Sequence, residues 1–140
     1  MDVNKILFLL NESTKNTLME TLEIKYTFVG DGEVHASMPV NSRVHQPMGL
    51  LHGGASVALA ESVGSAASHM FLEDRENFEV RGIEISANHL KSVREGMVIA
   101  KAKIIHKGRT THLWEIRIED TKGALVSLCK LTNIVLPKRK

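Results

Sequence analysis

The 140-residue chain carries a single cysteine, Cys129, so no disulfide can form within it. A lone thiol fits a reducing compartment, and the expected location is the cytoplasm. Cys129 lies in an alternating apolar strand, where a buried inert thiol is expected rather than a nucleophile. Aromatic residues are scarce, with four Phe, one Tyr and one Trp. That leaves little from which to build a base-stacking platform, so no nucleic-acid partner is expected. Formal net charge is only +2, and the basic ending "PKRK" reads as a solvated tail over 137–140. The early apolar run, Ile6 to Leu10, is five residues long. It is too short for a signal core or a membrane span, so no membrane association is expected. There is no H-E-x-x-H and no Cys/His cluster, hence no expected metal. There is no P-loop and no G-x-G-x-x-G. A serine-hydrolase elbow is missing too, because "GASVA" lacks its second glycine. No cofactor is expected.

What remains is an ordinary globular composition, 43% hydrophobic and 24% charged, at a length that suggests one domain over 1–140. Residues 1–20 hold apolar positions at helical spacing, with Asn11 to Thr14 as a break and cap. "LEIKYTFVG" alternates Leu22, Ile24, Tyr26 and Phe28 with polar neighbours and predicts a half-buried strand. Asp31-Gly32 predicts a hairpin turn, with "EVHASMPV" as the returning strand. An irregular loop follows from Asn41 to Leu51. Gly53 to about Phe71 has the length and the Ala/Leu content of a helix. Four more strands are expected after it, in "FEVRGIEISANHLKS", "MVIAKAKIIHKG", "THLWEIRIED" and "GALVSLCKLTNIVL". In the first of these, Ile83, Ile85 and Ala87 form the apolar phase. The order gives an α+β protein, an antiparallel sheet covering one long helix.

Glu61 is the one formally charged side chain between Arg43 and Glu73. On a helix it shares a stripe with Val57, Ser65 and Ser68, while Ala58, Leu59, Val63, Ala66 and Met70 form a core face. Glu61 then faces either solvent or a subunit interface. Ahead of it, "HGG" at His52 to Gly54 opens the helix, where free N–H groups carry partial positive charge. Such an end is either a tight turn or a place to polarise a carbonyl. Gly53 and Glu61 are about 12 Å apart in helix rise, too far to grip one atom from one helix. An antiparallel copy of the helix in a dimer closes that gap.

"QPMGLLHGGASVALAESVGS", Gln46 to Ser65, closely resembles the active-site segment of hot-dog-fold acyl-CoA thioesterases of the 4-hydroxybenzoyl-CoA type. That subgroup carries a catalytic glutamate on the central helix and includes bacterial 1,4-dihydroxy-2-naphthoyl-CoA hydrolases. The resemblance extends from about Leu22 to Val135, through "GIEISANHLKSVREG" and "HKGRTTHLWEIRIED".

The resemblance implies a hot-dog fold and hydrolysis of an acyl-CoA thioester. By position, Glu61 would be nucleophile or general base. Gln46 and the Gly53 N–H would polarise the carbonyl. His52 would orient that loop and assist the leaving thiolate, and Ser65 would hold the water or the carboxylate. Gly82, Ile83, Glu84 and Ile85, then His89, Leu90, Lys91, Ser92 and Arg94, would line the CoA and acyl path. His106, Lys107, Gly108, Arg109, Thr110 and Thr111 would complete it. Cations and hydroxyls of this kind suit phosphates, although each is equally an ordinary strand-end residue. The family implies a homodimer with shared sites, usually paired into a homotetramer. The leading acyl group is 1,4-dihydroxy-2-naphthoyl, of menaquinone biosynthesis. Phenylacetyl-, hydroxybenzoyl- or fatty acyl-CoA turnover, or a non-catalytic acyl-CoA binding module, are the alternatives.

Overall fold

The computed structural model describes residues 2–139. Two short helices come first, α1 (Val3–Glu12) and α2 (Leu18–Thr21), then a hairpin of β1 (Lys25–Gly30) and β2 (Glu33–Val40). A 3-10 turn at Ser42–Val44 leads to the long helix α3 (Gly53–Met70). The strands β3 (Phe78–His89), β4 (Gly96–Lys107), β5 (Thr111–Asp120) and β6 (Leu125–Pro137) follow. All six strands join one antiparallel sheet in the order β1-β2-β4-β5-β6-β3. Helix α3 packs against β2, β3, β4, β5 and β6 on one face of that sheet. This is the helix-on-sheet α+β architecture that the element order predicts.

Strict alternation explains the two faces. In β2, Val34, Ala36, Met38 and Val40 are buried, and in β5, His112, Trp114, Ile116 and Ile118 are. Leu59 and Val63 of α3 close the core from the other side, both fully buried. Each such side chain contributes about 1.5–3 kcal/mol. On the outer face Glu33, Lys103, Glu115 and Lys130 stand opposite one another across four strands, alternating in sign.

Local pattern misplaces several side chains. The break expected at Asn11 to Thr14 is present, since α1 ends at Glu12 and α2 begins at Leu18. Asp2 caps α1 through its carboxylate, Ser13 follows as its C-cap, and Thr17 precedes α2 as its N-cap. Asn11 is not a cap; its side chain binds the backbone of Tyr26. In β1 a bulge between Tyr26 and Phe28 brings Val29 to the buried face and leaves Phe28 outside, against the His35 ring. A second bulge, between Gly82 and Glu84, turns Ile83 outward to 58% exposure, so it does not share the phase of Ile85. Such insertions cannot be seen in a period-two count. Nor does the C-terminal tail begin at 137. Pro137 ends β6, and Lys138 donates to the carbonyls of Asn77 and Arg75. Lys140 lies outside the described residues.

The face of α3 is also corrected. Ser56, Leu59, Ala60, Val63, Gly64, Ala67 and Ser68 are buried; Ala66 and Met70 pack on the core while also lining an open cavity beside Glu61, and Ala58 lines that cavity without joining the core. Ser68 therefore belongs to the core and not to the Glu61 stripe. The reason is three polar partners reached only in the folded chain. The Ser68 hydroxyl accepts from Trp114 Nε1 at 2.7 Å and from Asn133 Nδ2 at 2.7 Å, and lies 2.9 Å from His112 Nδ1. With both acceptor positions filled, its own proton goes to His112 Nδ1.

Candidate active site

The loop before α3 is held from several sides. Leu51 N–H donates to Val93 O at 2.8 Å, His52 N–H to Val44 O at 2.8 Å, and His45 Nε2 contacts Arg94 O at 2.7 Å. Within it, the Met48 N–H donates to Gln46 Oε1. An N–H requires an acceptor, so the amide is turned with its oxygen towards Met48 and its NH2 is the group placed to donate elsewhere.

At the start of α3, four N–H groups need partners. His52 takes three of them. Its Nδ1 accepts from Gly54 N–H at 2.8 Å, and its carbonyl accepts from Ala55 and Ser56. Among the described residues no acceptor takes the Gly53 N–H, which is the remaining one. His52 thus caps the helix through its ring, and it lines a small groove with Arg43, Val44 and His45.

Gln46 and Gly53 line a polar cavity of about 260 Å³ together with His89, Leu90, Lys91 and Ser92. His89 lies over Gly53, its Nε2 2.8 Å from where a Cβ of residue 53 would stand, and its Nδ1 is 2.8 Å from Ser127 Oγ. Glu61 and Ser65 line a different, larger and mostly apolar cavity of about 960 Å³. Glu61 has no ion-pair partner among the described residues, and no hydrogen bond joins it to Ser65. Its carboxylate rests above Gly82 of β3, with Oε2 2.8 Å from the position a Cβ there would take. The carboxylate and the two donors therefore face different cavities of one chain.

The family model for the thioesterase superfamily matches residues 48–127. The 1,4-dihydroxy-2-naphthoyl-CoA hydrolase of Escherichia coli is 44% identical over 127 residues, covering 91% of this chain and 92% of that protein. The proofreading thioesterase EntH of Cronobacter turicensis is 45% identical, covering 91% of each. A mutant of thioesterase PA1618 from Pseudomonas aeruginosa superposes with a TM-score of 0.91 at 46% identity, covering 94% of both chains. The chain belongs to the thioesterase superfamily. The helix on an antiparallel sheet is its hot-dog fold, and the protein is a thioester hydrolase.

Two further groups of expected site residues in this thioesterase lie elsewhere. Lys107, Arg109 and Thr110 line a groove of about 620 Å³ at the far end of α3, with Phe71, Phe78 and His112. A bulge between Ile104 and His106 sets this up: it places Lys107 opposite His112 and moves His106 to the row of Leu113. Gly108 N–H donates to Thr111 O at 2.8 Å and closes the turn. Ile83 and Glu84 are exposed on β3, Ile85 packs on the core, and the Arg94 side chain is exposed. Lys91 is not free, because its Nζ binds Asp120 Oδ2 at 2.5 Å. That ammonium, helped by the Ala124 and Lys122 N–H groups, holds the Asp120 carboxyl at about 2.

Helical spacing puts Ser68 on the Glu61 stripe and not in the core, and Asn133 belongs to no expected site. The signal for Asn133 was present: it stands two residues after Leu131, in the buried phase of β6. Burial lowers the pKa of His112, with the charges of Lys107 and His106 acting the same way. Among the described residues no group of His, Cys, Asp and Glu is arranged to hold a metal, and no helix is long and apolar enough to cross a membrane.

Proposed function

We propose that this thioesterase hydrolyses an acyl-CoA in a site shared by two copies of the chain, Glu61 and Ser65 coming from one and Gln46 and Gly53 from the other. The separation of these groups into two cavities of a single chain carries the reading. The edge strand β3, which has β6 on one side only, is available to a second copy. In this scheme the thioester carbonyl oxygen accepts from the Gly53 N–H and the Gln46 NH2. Glu61 removes a proton from water as the oxygen bonds to the carbonyl carbon, and Ser65 steadies that water or the carboxylate. The negative charge that develops on the carbonyl oxygen is stabilised by the two fixed donors. Collapse breaks the C–S bond, and the CoA sulfur leaves with the proton. Direct attack by Glu61, with water then cleaving the mixed anhydride, uses the same geometry.

The acyl group we favour is 1,4-dihydroxy-2-naphthoyl, which supports a cytoplasmic role in menaquinone biosynthesis. The name of the Escherichia coli relative favours this assignment, and a homotetramer is the assembly proposed. Comparing kcat/KM over aryl and aliphatic acyl-CoA substrates tests it; a tenfold preference for aliphatic chains removes the aryl assignment. The shared site has its own test. Glu61→Ala and Gln46→Ala chains, each nearly inactive, are unfolded together and refolded as a mixture. Half of the dimers formed are mixed and each has one intact site, so about a quarter of wild-type activity returns. Activity no higher than the sum of the two variants rejects the shared site.

A further inference from the structure

We infer that α1 is the wall that selects the acyl group by size, held at its working distance by Asn11; this rests on the thioesterase reading above. The two sides of the Glu61 cavity differ in a telling way. On the α3 side small residues, Ala58, Ser62, Ser65 and Ala66, stand beside Val57, His69 and Met70. On the other side stand Ile6, Leu9 and Leu10, which share one face of α1 at the spacing i, i+3, i+4. Helix α1 is therefore an aliphatic wall of the cavity.

Helix α1 is also incompletely packed. None of its residues is fully buried, and Leu9 is 55% exposed although it lines the cavity. An aliphatic face with open space before it lacks contact atoms on that side, and an apolar occupant supplies them. The occupant must place a reacting polar end at Glu61 and Ser65 and an uncharged end against Ile6, Leu9 and Leu10. An acyl thioester has that division. The α1 face itself offers no charge; the charged or titratable groups on this cavity are Tyr26, Glu61, His69 and Arg75, all from other elements.

The distance between wall and carboxylate is fixed through few bonds. Asn11, at the end of α1, accepts from Tyr26 N–H at 2.8 Å and donates to Tyr26 O at 3.1 Å, a two-point clamp on the edge strand β1. The Tyr26 hydroxyl in turn donates to the carbonyl of Ser62 at 3.3 Å, and Ser62 is the residue after Glu61. So α1 is referenced to the turn of α3 that bears the carboxylate.

The test uses the full chain with Leu10→Ala, Ile6→Trp and Asn11→Ala. Each is assayed for kcat/KM from acetyl- to dodecanoyl-CoA and on benzoyl-CoA. Binding of the matching S-alkyl-CoA thioethers is measured by calorimetry, and thermal midpoints confirm folding. Leu10→Ala should raise the long-to-short ratio about tenfold, and Ile6→Trp should lower it by as much, the scale of one or two methylenes in a pocket. Asn11→Ala should flatten discrimination between neighbouring lengths. Ratios within twofold of wild type in Leu10→Ala and Ile6→Trp, with folding intact, overturn the inference. If wild type cleaves no acyl-CoA, the thioesterase reading fails by itself, and the thioether series still decides whether α1 measures the chain. Should Ile6→Trp not fold, Leu10→Ala carries the same test in the opposite direction.

Discussion

Gly82 and Glu61 are matched: the Glu61 carboxylate occupies the space that a side chain at residue 82 would need, with Oε2 2.8 Å from the missing Cβ. The two residues are 21 positions apart, on β3 and α3, and the lack of a side chain on one positions the carboxylate of the other. Gly82→Ala should therefore displace a flexible carboxylate and spare the core. The expected result is a fall in kcat of about a hundredfold, the cost of misplacing a reacting group by about 1 Å. The thermal midpoint should barely move. Unchanged turnover in a folded Gly82→Ala protein would show that the position of Glu61 over β3 has no bearing on chemistry.

Replacing the carboxylate isosterically gives a sharper result. Glu61→Gln retains volume but loses the basic oxygen, so kcat should drop by at least about a hundredfold while substrate binding is largely kept. Glu61 is half-buried without an ion-pair partner among the described residues, so neutralising it should hold or raise stability. Kinetics and a urea titration on one preparation check both statements. Near-normal kcat in a folded oligomer would eliminate Glu61 as the reacting group.

Gln46 should act through its NH2 alone, its oxygen being tied to the Met48 N–H. Gln46→Ala is expected to lower kcat about ten- to a thousandfold, as for loss of one oxyanion donor. Gln46→Glu keeps the acceptor and removes the donor, and it should be at least as impaired. If Gln46→Glu retains full activity, the loop amide serves only to brace Met48.

Ser68 is a stability residue. Its removal leaves the Trp114 donor and His112 without a partner, at about 1–3 kcal/mol for each buried group left unpaired, while Asn133 Nδ2 keeps only the Gly64 carbonyl at 3.2 Å. Ser68→Ala should lower the unfolding free energy by about 2–4 kcal/mol, read from denaturant midpoints. The same network makes stability depend on pH. His112 has a folded pKa below its ordinary 6.5, so below pH 6.5 the unfolded chain binds a proton that the native chain refuses. The stabilisation is complete above pH 6.5 and declines as pH falls from there towards the lowered folded value. Denaturant midpoints measured from pH 7.5 to 5.0 should show this decline, and His112→Gln should flatten it. A midpoint equally steep in both proteins would assign the slope to other groups.

The sequence by itself determined the elements and the identity of the key side chains. A long run of small and apolar residues makes α3 at its observed length, Asp31-Gly32 makes the β1-β2 hairpin, and glycines punctuate the later strands. Gly32 has φ +65°, which glycine adopts without strain. These are short-range effects, set by backbone dihedrals and side-chain periodicity within a few residues. The motif from Gln46 to Ser65 likewise displayed Gln46, Gly53, Glu61 and Ser65 before any fold was known. Only the tertiary structure decided what each faces. Bulges after Tyr26, Gly82 and Ile104 reversed the phase of the residues beyond them, because each answers to a partner strand and not to its own neighbours. Ser68 turned inward because His112, Trp114 and Asn133, more than forty residues away, supply its hydrogen bonds. Glu61 was settled over Gly82, and α1 beside it, by packing between segments that local pattern cannot relate. Periodicity reports which side chains avoid water; which ones meet depends on how distant parts of the chain fit together.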